Sequence, residues 1–178
     1  MLLVDVVILG VSVMIMLLIV TSVYAWLAGI PSVPTPRSSA QAMVRLARLR
    51  GSERVFDIGA GHGRILIEAK RLHPGITAVG IEYSPTVWLL GRLTVLCSRQ
   101  QVTLLCGDGW KTDLRDADAL FLYLSPKLMA SLEDKLDREL RPGTVVIAHA
   151  FRFSRRQPKE TIIVQTMTRK QTLMRYEW

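Results

Sequence analysis

The sequence predicts an α/β protein built on a doubly wound, mostly parallel sheet with a C-terminal antiparallel hairpin. Short apolar runs alternate with amphipathic runs along the chain, which is typical of parallel strands joined by crossover helices. A glycine-rich turn directly follows the first of these strands, at residues 59–63. The chain has 178 residues, a length that suits a single domain behind an apolar N-terminal segment.

The first element is an uncharged apolar run over residues 6–30. About 20 apolar residues span a bilayer, so the run predicts a transmembrane anchor over residues 1–30. A signal peptide would carry basic residues ahead of a shorter apolar core, whereas Asp5 is the only charge here. Arg37, Arg45, Arg48 and Arg50 follow the run, which predicts a single-pass membrane protein whose domain faces the cytoplasm or an equivalent compartment.

Three prolines between residues 31 and 36 predict a stiff linker over residues 31–38, followed by a folded domain over residues 39–178. An amphipathic helix is expected from about Ser39 to Arg50, with Gly51 as its C-cap.

Alternating strands and helices are expected to follow, and two of the helices have a clear start signal. Serine followed by proline at the first helical position marks a helix N-terminus. In chain order, the elements are a strand at 55–58, a helix at 64–72, a strand at 78–82, a helix that begins at Ser84-Pro85, strands at 102–108 and 119–124, a helix that begins at Ser125-Pro126, a strand at 144–150, and an antiparallel pair at 161–167 and 172–178.

Two connections are short for this architecture. About ten residues separate the strands at 102–108 and 119–124, and about ten separate residue 150 from residue 161. A full crossover with its helix needs at least 10–12 residues. Two helices are therefore expected to be shortened or absent, which leaves the active site open on one side.

The glycine-rich turn is the strongest functional signal. Gly59, Gly61 and Gly63 follow Asp57 at alternate positions, and a helix is expected to begin at Arg64. Bare backbone and free helix N–H groups suit a nucleotide-type ligand. The dinucleotide fingerprint G-x-G-x-x-G is not matched, because Arg64 stands at its third glycine, and no P-loop lysine follows.

Two further acids end the next strands. Glu82 ends the second strand and Asp108 the third, and a carboxylate about 20 residues beyond the glycines can accept both ribose hydroxyls. The alternative interpretation is a doubly wound sheet whose acids only cap helices.

Asp57, the glycine turn, Glu82 and Asp108 together resemble motif I and the following acidic positions of the class I S-adenosylmethionine (SAM) methyltransferases. The resemblance implies a Rossmann-like fold with SAM as cofactor: the glycine turn takes the methionine part, Glu82 the ribose and Asp108 the adenine amine. Thr35 is implied to reach the methionine end. The cofactor-binding residues so predicted are Thr35, Asp57, Gly59, Ala60, Gly61, Gly63, Glu82, Tyr83, Asp108 and Gly109.

Three further stretches narrow the resemblance: residues 32–36, residues 121–126, and residues 132–143 with 148–151. They are similar to small membrane-anchored methyltransferases related to the mitochondrial enzymes that methylate lysines of the ATP synthase c-ring protein and of the adenine nucleotide translocase. This resemblance implies N-methylation of a lysine in a membrane or membrane-associated protein. A Gly-Asp-Trp-x-Pro-like stretch of many prokaryotic relatives is absent at residues 153–158, which leaves the identity of the target open.

Tyr123 and Ser125 are the candidate catalytic residues, because they are the polar groups at the end of the fourth strand, where the acceptor meets the methyl group in this family. The alternative roles are packing for Tyr123 and helix capping for Ser125. The Asn/Asp-Pro-Pro-Tyr/Phe motif of amino-directed nucleic-acid methyltransferases is absent here, which does not favour nucleic acid as the acceptor. A lipid or quinone-type methyltransferase and a non-catalytic SAM-binding membrane protein remain as alternative functions.

The charge and the cysteines give weaker constraints. The net charge is +8, and the chain beyond Asp5 carries 23 basic and 14 acidic residues, or +9, which suits anionic lipid headgroups. Cys97 and Cys106 form no C-x-x-C pair, so no metal site is predicted, and both are expected to be buried core thiols.

Overall fold

A computed structural model describes residues 2–27, 35–166 and 170–178. Within these ranges the chain forms five helices and seven strands. In chain order they are α1 (Leu2–Leu27), α2 (Arg37–Ala47), β1 (Arg54–Ile58), α3 (Arg64–Leu72), β2 (Thr77–Glu82), α4 (Pro85–Ser98), β3 (Val102–Cys106), β4 (Ala119–Leu122), α5 (Pro126–Glu139), β5 (Val145–His149), β6 (Glu160–Gln165) and β7 (Lys170–Glu177).

The strands form one sheet in the order β3-β2-β1-β4-β5-β7-β6. The five strands β1 to β5 are parallel to one another, and β7 pairs antiparallel with both β5 and β6. The predicted α/β class, the parallel sheet and the C-terminal antiparallel pair are therefore confirmed. The strand order reverses between β1 and β4, and this switch point is where open α/β sheets bind their ligands.

Side chains that alternate along each strand build two apolar cores, one on each face of the sheet. Phe56 and Ile58 of β1 pack on the side of α5, whereas Val55 packs on the side of α2 and α3. The helix α4 lies on the same face as α3, because Leu104 of β3 and the turn after β1 both approach its Gly91. The stretches 107–118 and 150–159 contain no helix, so the two shortened crossovers are confirmed.

Several boundaries differ from the expectations. The helix α2 begins at Arg37, two residues early, and ends with Arg48 in the left-handed conformation (φ 54°), so Gly51 is not its C-cap. Gly51 has φ 113° and lies in the turn before β1. The strand β3 ends at Cys106, two residues before Asp108.

The prediction that both cysteines are core thiols is wrong, because Cys97 and Cys106 are both exposed. The helix α4 buries only Gly91 and Val95, and β3 is an edge strand that buries only Leu104. Apolar composition suggested burial for both segments, but composition cannot show whether another element covers a helix.

For the predicted anchor, the described ranges contain no helix that meets the length and hydropathy requirements for crossing a membrane. The end of the predicted anchor and most of the predicted linker, residues 28–34, lie outside the described residues.

Candidate active site

The glycine turn lies at the carboxyl end of β1, in the centre of the sheet. Gly59, Gly61 and Gly63 have φ values of 76°, 56° and 73°, a region that L side chains rarely adopt. The amides of Gly59 and Ala60 both donate to the carbonyl oxygen of Ile81, at 2.8 and 3.0 Å, which ties the turn to β2. The alternating glycines are therefore required by the backbone itself.

Neighbouring elements approach the turn from two sides. A Cβ atom at Gly91 of α4 would lie 2.6 Å from the carbonyl oxygen of Gly61, so only glycine lets the helix sit this close. A Cβ atom at Gly59 would lie 3.0 Å from Leu124, which follows β4. His62 is half-buried within the turn. The turn is thus held in place by α4 and by the end of β4.

Glu82 is the buried carboxylate that connects the turn to α4. Its Oε2 accepts a hydrogen bond from the amide of Gly61 at 2.9 Å, and its Oε1 accepts one from the amide of Ser84 at 2.9 Å. The side chain is fixed by these two bonds at the end of β2, and each carboxylate oxygen has a further lone pair to offer to a hydroxyl donor. Tyr83, the next residue, is exposed.

Asp57 lies on β1 between Gly80 of β2 and Phe121 of β4 in the sheet register, and only 2% of it is exposed. Burial, and secondly the charge of Glu82, raise the pKa of the Asp57 carboxyl to about 8. Two carboxyl groups close together in a buried place favour a ligand that brings positive charge and hydroxyl donors. SAM carries a sulfonium, an ammonium group and a ribose, so the residues present fit this cofactor.

Asp108 and Gly109 are brought to the same edge of the sheet. Gly109 packs on the end of β1, since a Cβ atom there would lie 2.5 Å from Cγ2 of Ile58. The Oδ1 atom of Asp108 accepts a hydrogen bond from the amide of Trp110 at 2.9 Å, which holds the carboxylate within its loop.

Thr35 is also brought to the glycine turn, although it is more than 20 residues away from it in sequence. Its carbonyl oxygen accepts a hydrogen bond from Nη1 of Arg64 at 2.8 Å, and Arg64 directly follows Gly63. Thr35 itself is buried. Thr35, ahead of α2, therefore lies beside the N-terminus of α3.

Tyr123 directly follows β4 and stacks on His149, the last residue of β5. The ring centroids are 3.9 Å apart with an angle of 33° between the planes. His149 is buried and Tyr123 half-buried. This contact was not predicted from the sequence. The aligned ends of the two parallel strands, where Leu122 pairs with Ala148, were the signal that would have revealed it.

Ser125 occupies the N-cap position of α5, but its side chain makes no capping hydrogen bond. Ser84 provides the contrast, because its hydroxyl accepts a bond from the amide of Val87 at 3.5 Å at the start of α4. The capping role considered for Ser125 is thus not seen, and the hydroxyl lies two residues beyond Tyr123 at the carboxyl end of β4.

The family model described as the ANTKMT methyltransferase domain matches residues 57–160. The chain is 29% identical over 149 residues to a protein-lysine N-methyltransferase of Saccharolobus islandicus, covering 83% of this chain and 92% of that protein. It is 35% identical over 120 residues to the mouse adenine nucleotide translocase lysine N-methyltransferase, covering 64% of this chain and 50% of the mouse protein. The chain therefore spans nearly all of the archaeal relative and about half the length of the mouse relative.

Solved structures agree with the fold. An RNA methyltransferase from Salinibacter ruber in complex with S-adenosyl-L-homocysteine is 33% identical, with a TM-score of 0.74, over 82% of this chain and 93% of that one. A SAM-dependent methyltransferase from Geobacter sulfurreducens, also in complex with S-adenosyl-L-homocysteine, shares the fold at 23% identity and a TM-score of 0.56, over 76% of this chain and 52% of that one. The expected Rossmann-like methyltransferase fold and its SAM cofactor are confirmed by these likenesses.

Proposed function

Because this chain belongs to the ANTKMT methyltransferase domain family, we propose that it transfers a methyl group from SAM to the side-chain amine of a lysine in a membrane or membrane-associated protein. The observation that carries the proposal is the pair of buried carboxyl groups, Asp57 and Glu82, around the glycine turn. The archaeal and mouse relatives, which are named as lysine methyltransferases, support lysine as the acceptor.

When bound, SAM supplies an electrophilic methyl group on a positively charged sulfur. The protein then has to hold the two reactants in line, which is catalysis by proximity and orientation. Glu82 would hold the ribose, Asp57 and the glycine turn would hold the methionine part, and Asp108 with Gly109 would hold the adenine. Thr35, held by Arg64, covers the methionine end.

The acceptor amine enters at the carboxyl end of β4. A lysine must lose a proton before it can act as a nucleophile, and its free pKa is about 10.4. A low-polarity environment would favour the neutral amine, because burial disfavours the charged form. The Tyr123 hydroxyl orients the amine, with the ring held by His149, and the Ser125 hydroxyl offers a second polar contact.

Membrane anchoring belongs to the same proposal and rests on the uncharged run over residues 6–30 and the arginines that follow it. Within α1, the described side chains from Val4 to Leu17 are apolar apart from Asp5, Gly10 and Ser12, and they are exposed. An anchored enzyme with its domain on the cytoplasmic face has SAM at hand, and it meets substrates at the bilayer surface.

One observation favours a second candidate acceptor. The Salinibacter ruber structure is described as an RNA methyltransferase, and this chain carries a net charge of +8. The residues at the end of β4, Leu122-Tyr123-Leu124-Ser125-Pro126, do not form an Asn/Asp-Pro-Pro-Tyr/Phe motif, so the lysine acceptor is preferred.

The test is transfer of labelled methyl from SAM into cell membranes and RNA from a strain that lacks the protein. The purified full chain is compared with Asp57→Asn and Glu82→Gln, which keep the side-chain shapes, and with Asp116→Asn. Asp116 is an exposed carboxylate that pairs with Arg54 at the start of β1, at the opposite end of that strand from the glycine turn. Label in a protease-sensitive band, absent with the two site variants and retained with the control, is the expected result. Methyl-lysine in that band is then identified by mass spectrometry.

The other outcomes each contradict the proposal in a distinct way. Label that is sensitive to ribonuclease identifies RNA as the acceptor. Label that enters the organic phase after protease treatment identifies a lipid or quinone-type acceptor. SAM binding by calorimetry without label in any fraction leaves a non-catalytic SAM-binding protein.

A further inference from the structure

The outer side of α4 exposes an unusual amount of apolar surface. Leu89, Leu93 and Leu96 follow one another at helical spacing, and Leu90 lies beside them. Leu105 of the neighbouring edge strand β3 extends the patch. The exposed fractions of these five leucines lie between 46% and 74%. We call these five leucines the α4 face.

The charged residues within the segment that carries the α4 face all have one sign. Residues 83–107, which contain the whole face, include no Asp or Glu and two basic residues, Arg92 and Arg99. Both arginines are exposed, and the guanidinium group of Arg92 lies 5.8 Å from the centre of the Trp88 ring. An apolar patch with cationic residues and without acids complements a surface that is apolar inside and anionic outside.

The apolar N-terminal helix lies near this surface, because α1 contacts α4. The described side chains of α1 include exposed Val, Ile, Leu and Met residues. An apolar environment that contacts the exposed side chains of α1 would therefore lie near the α4 face as well. Large exposed apolar patches usually mark a protein or a membrane contact.

We propose that the α4 face docks on the surface of a lipid bilayer with anionic headgroups, with its leucines in the interfacial layer and Arg92 and Arg99 among the phosphates. A second copy of the chain is a poorer occupant, because a symmetric contact would bring the same arginines of both copies together without any acid in the face to pair with them. Anionic lipid supplies the missing counter-charge.

Docking in this way would fix the height of the active site above the bilayer. On the inner side of α4, Gly91 packs against Gly61 of the glycine turn. An α-helix with its side chains is about 10 Å across, so the turn would lie about one helix diameter from the lipid. The inference concerns this surface alone and does not depend on which molecule accepts the methyl group.

The two native cysteines allow a direct test with the full chain. Cys97 and Cys106 are the only cysteines in the sequence, and both are exposed, one on α4 and one on β3. Ser131 provides a matched control position, because it is exposed on α5, on the opposite face of the sheet. Ser131→Cys is introduced into a chain that also carries Cys97→Ser and Cys106→Ser.

Each form is reconstituted into vesicles of phosphatidylcholine with about one third phosphatidylglycerol, and its reaction rate with a membrane-impermeant maleimide is measured. Rates are normalised to the same chains unfolded in denaturant with detergent. We expect the native cysteines to react at least about tenfold more slowly than Cys at position 131. Protein trapped inside vesicles protects all positions equally, so the ratio is unaffected by orientation.

A double variant, Leu93→Gln with Leu96→Gln, checks that the leucines cause the protection. It should restore the reaction rate of Cys97 while methyl transfer in detergent is unchanged, because neither leucine belongs to the active site. Equal rates at positions 97, 106 and 131 in anionic vesicles would overturn the proposal. So would protection that persists without lipid and rises with protein concentration, which would indicate contact between copies.

Discussion

Asp57 is the residue whose chemistry the fold alters most. Its carboxyl group has a pKa of about 8, because it is buried and lies near Glu82, whereas an unfolded Asp has a pKa of about 3.9. Between these two values the folded chain binds more protons than the unfolded chain. The free energy of unfolding therefore falls as the pH rises from about 4 to about 8, and above that range the penalty is complete.

The fall in the free energy of unfolding with rising pH leads to a stability prediction for Asp57→Asn, because asparagine cannot ionise. Without cofactor, the variant should become more stable than the native chain as the pH rises from 5 to 8.5, with a difference that grows by more than about 1.4 kcal/mol, the equivalent of one pKa unit. Denaturant unfolding at several pH values measures the difference. Asp113→Asn is the control, because Arg115 holds the pKa of Asp113 well below its usual range and the exposed carboxylate stays ionised above pH 4. If the difference in unfolding free energy between the variant and the native chain stayed constant from pH 5 to 8.5, the raised pKa of the buried Asp57 carboxyl would be contradicted.

Tyr123 permits a second prediction at this scale. Tyr123→Phe keeps the ring on His149 and removes only the hydroxyl, so the fold and the affinity for S-adenosylhomocysteine should stay within about twofold of the native values. If the hydroxyl orients the acceptor amine, kcat falls by about tenfold or more, a barrier increase of about 1.4 kcal/mol. Steady-state kinetics and calorimetry separate the two effects. An unchanged kcat would leave Tyr123 as a packing residue.

The sequence predicted the glycine turn and its neighbouring acid well, but it did not predict the contacts at the end of β4. Glycines that need positive φ and acids at strand ends are local features, so Gly59, Gly61, Gly63 and Glu82 could be found from spacing alone. The stacking of Tyr123 on His149 depends on the pairing of β4 with β5, whose residues are 26 positions apart, and no local pattern reveals it.

At the scale of elements, α4 supports the glycine turn on the side that packs against the helix. Its Gly91 lies against the carbonyl of Gly61 and against Leu104, and a Cβ atom would lie 2.6 and 2.7 Å from these groups. The apolar run of α4 could be read as a helix, with the correct start at Ser84-Pro85. Its exposed side could not be read, because burial depends on what the rest of the chain places over the helix.

Gly91→Ala should consequently push α4 away from the glycine turn. Overpacking of this kind costs about 1–3 kcal/mol, of which the better helix propensity of Ala returns up to about 1 kcal/mol. We expect lower stability in denaturant unfolding together with weaker binding of S-adenosylhomocysteine. Gly107→Ala is the matched control for stability, because its Cβ atom would meet no atom within 4 Å. A Gly91→Ala chain with native stability and affinity would show that α4 does not rest on the turn.

The shortened crossover between β5 and β6 has no helix over the described residues 150–159, and its loop is held to α5 by one buried side chain. Glu133 of α5 is buried, and its carboxylate accepts hydrogen bonds from the amides of Ser154 and Arg155 and from the Ser154 hydroxyl. Loop lengths predicted the missing helix, whereas the role of Glu133 as the anchor of the loop depends on tertiary contacts that spacing does not encode.

At the scale of the whole molecule, the basic charge and the apolar N-terminus both suit the surface of a membrane. Beyond Asp5 the chain has 23 basic and 14 acidic residues, and residues 6–30 are uncharged. The two features act over different ranges, since charge attracts the domain to anionic lipid within about a Debye length and the apolar run acts only on insertion.

The anchor prediction is tested by alkaline extraction of membranes from cells that express the full chain. The native chain should stay in the membrane pellet at high pH. Val11→Arg with Ile15→Arg should move it to the supernatant, because each arginine near the centre of a spanning helix costs about 2.5–3.5 kcal/mol. Replacement of the same two residues by Leu is the matched control. Release of the native chain would contradict anchoring by residues 6–30.

The strand order has a consequence for biosynthesis. Although β7 is the seventh strand in sequence, it lies between β5 and β6, and its Leu173, Met174 and Tyr176 are fully buried. While the ribosome still holds β7, the edge of β5 is open and both apolar cores lack these side chains. The nascent domain therefore cannot close its sheet until β7 has emerged, whereas the N-terminal apolar run is available for targeting from the beginning. In a living cell, the proposed membrane anchor would then be exposed before the domain can fold.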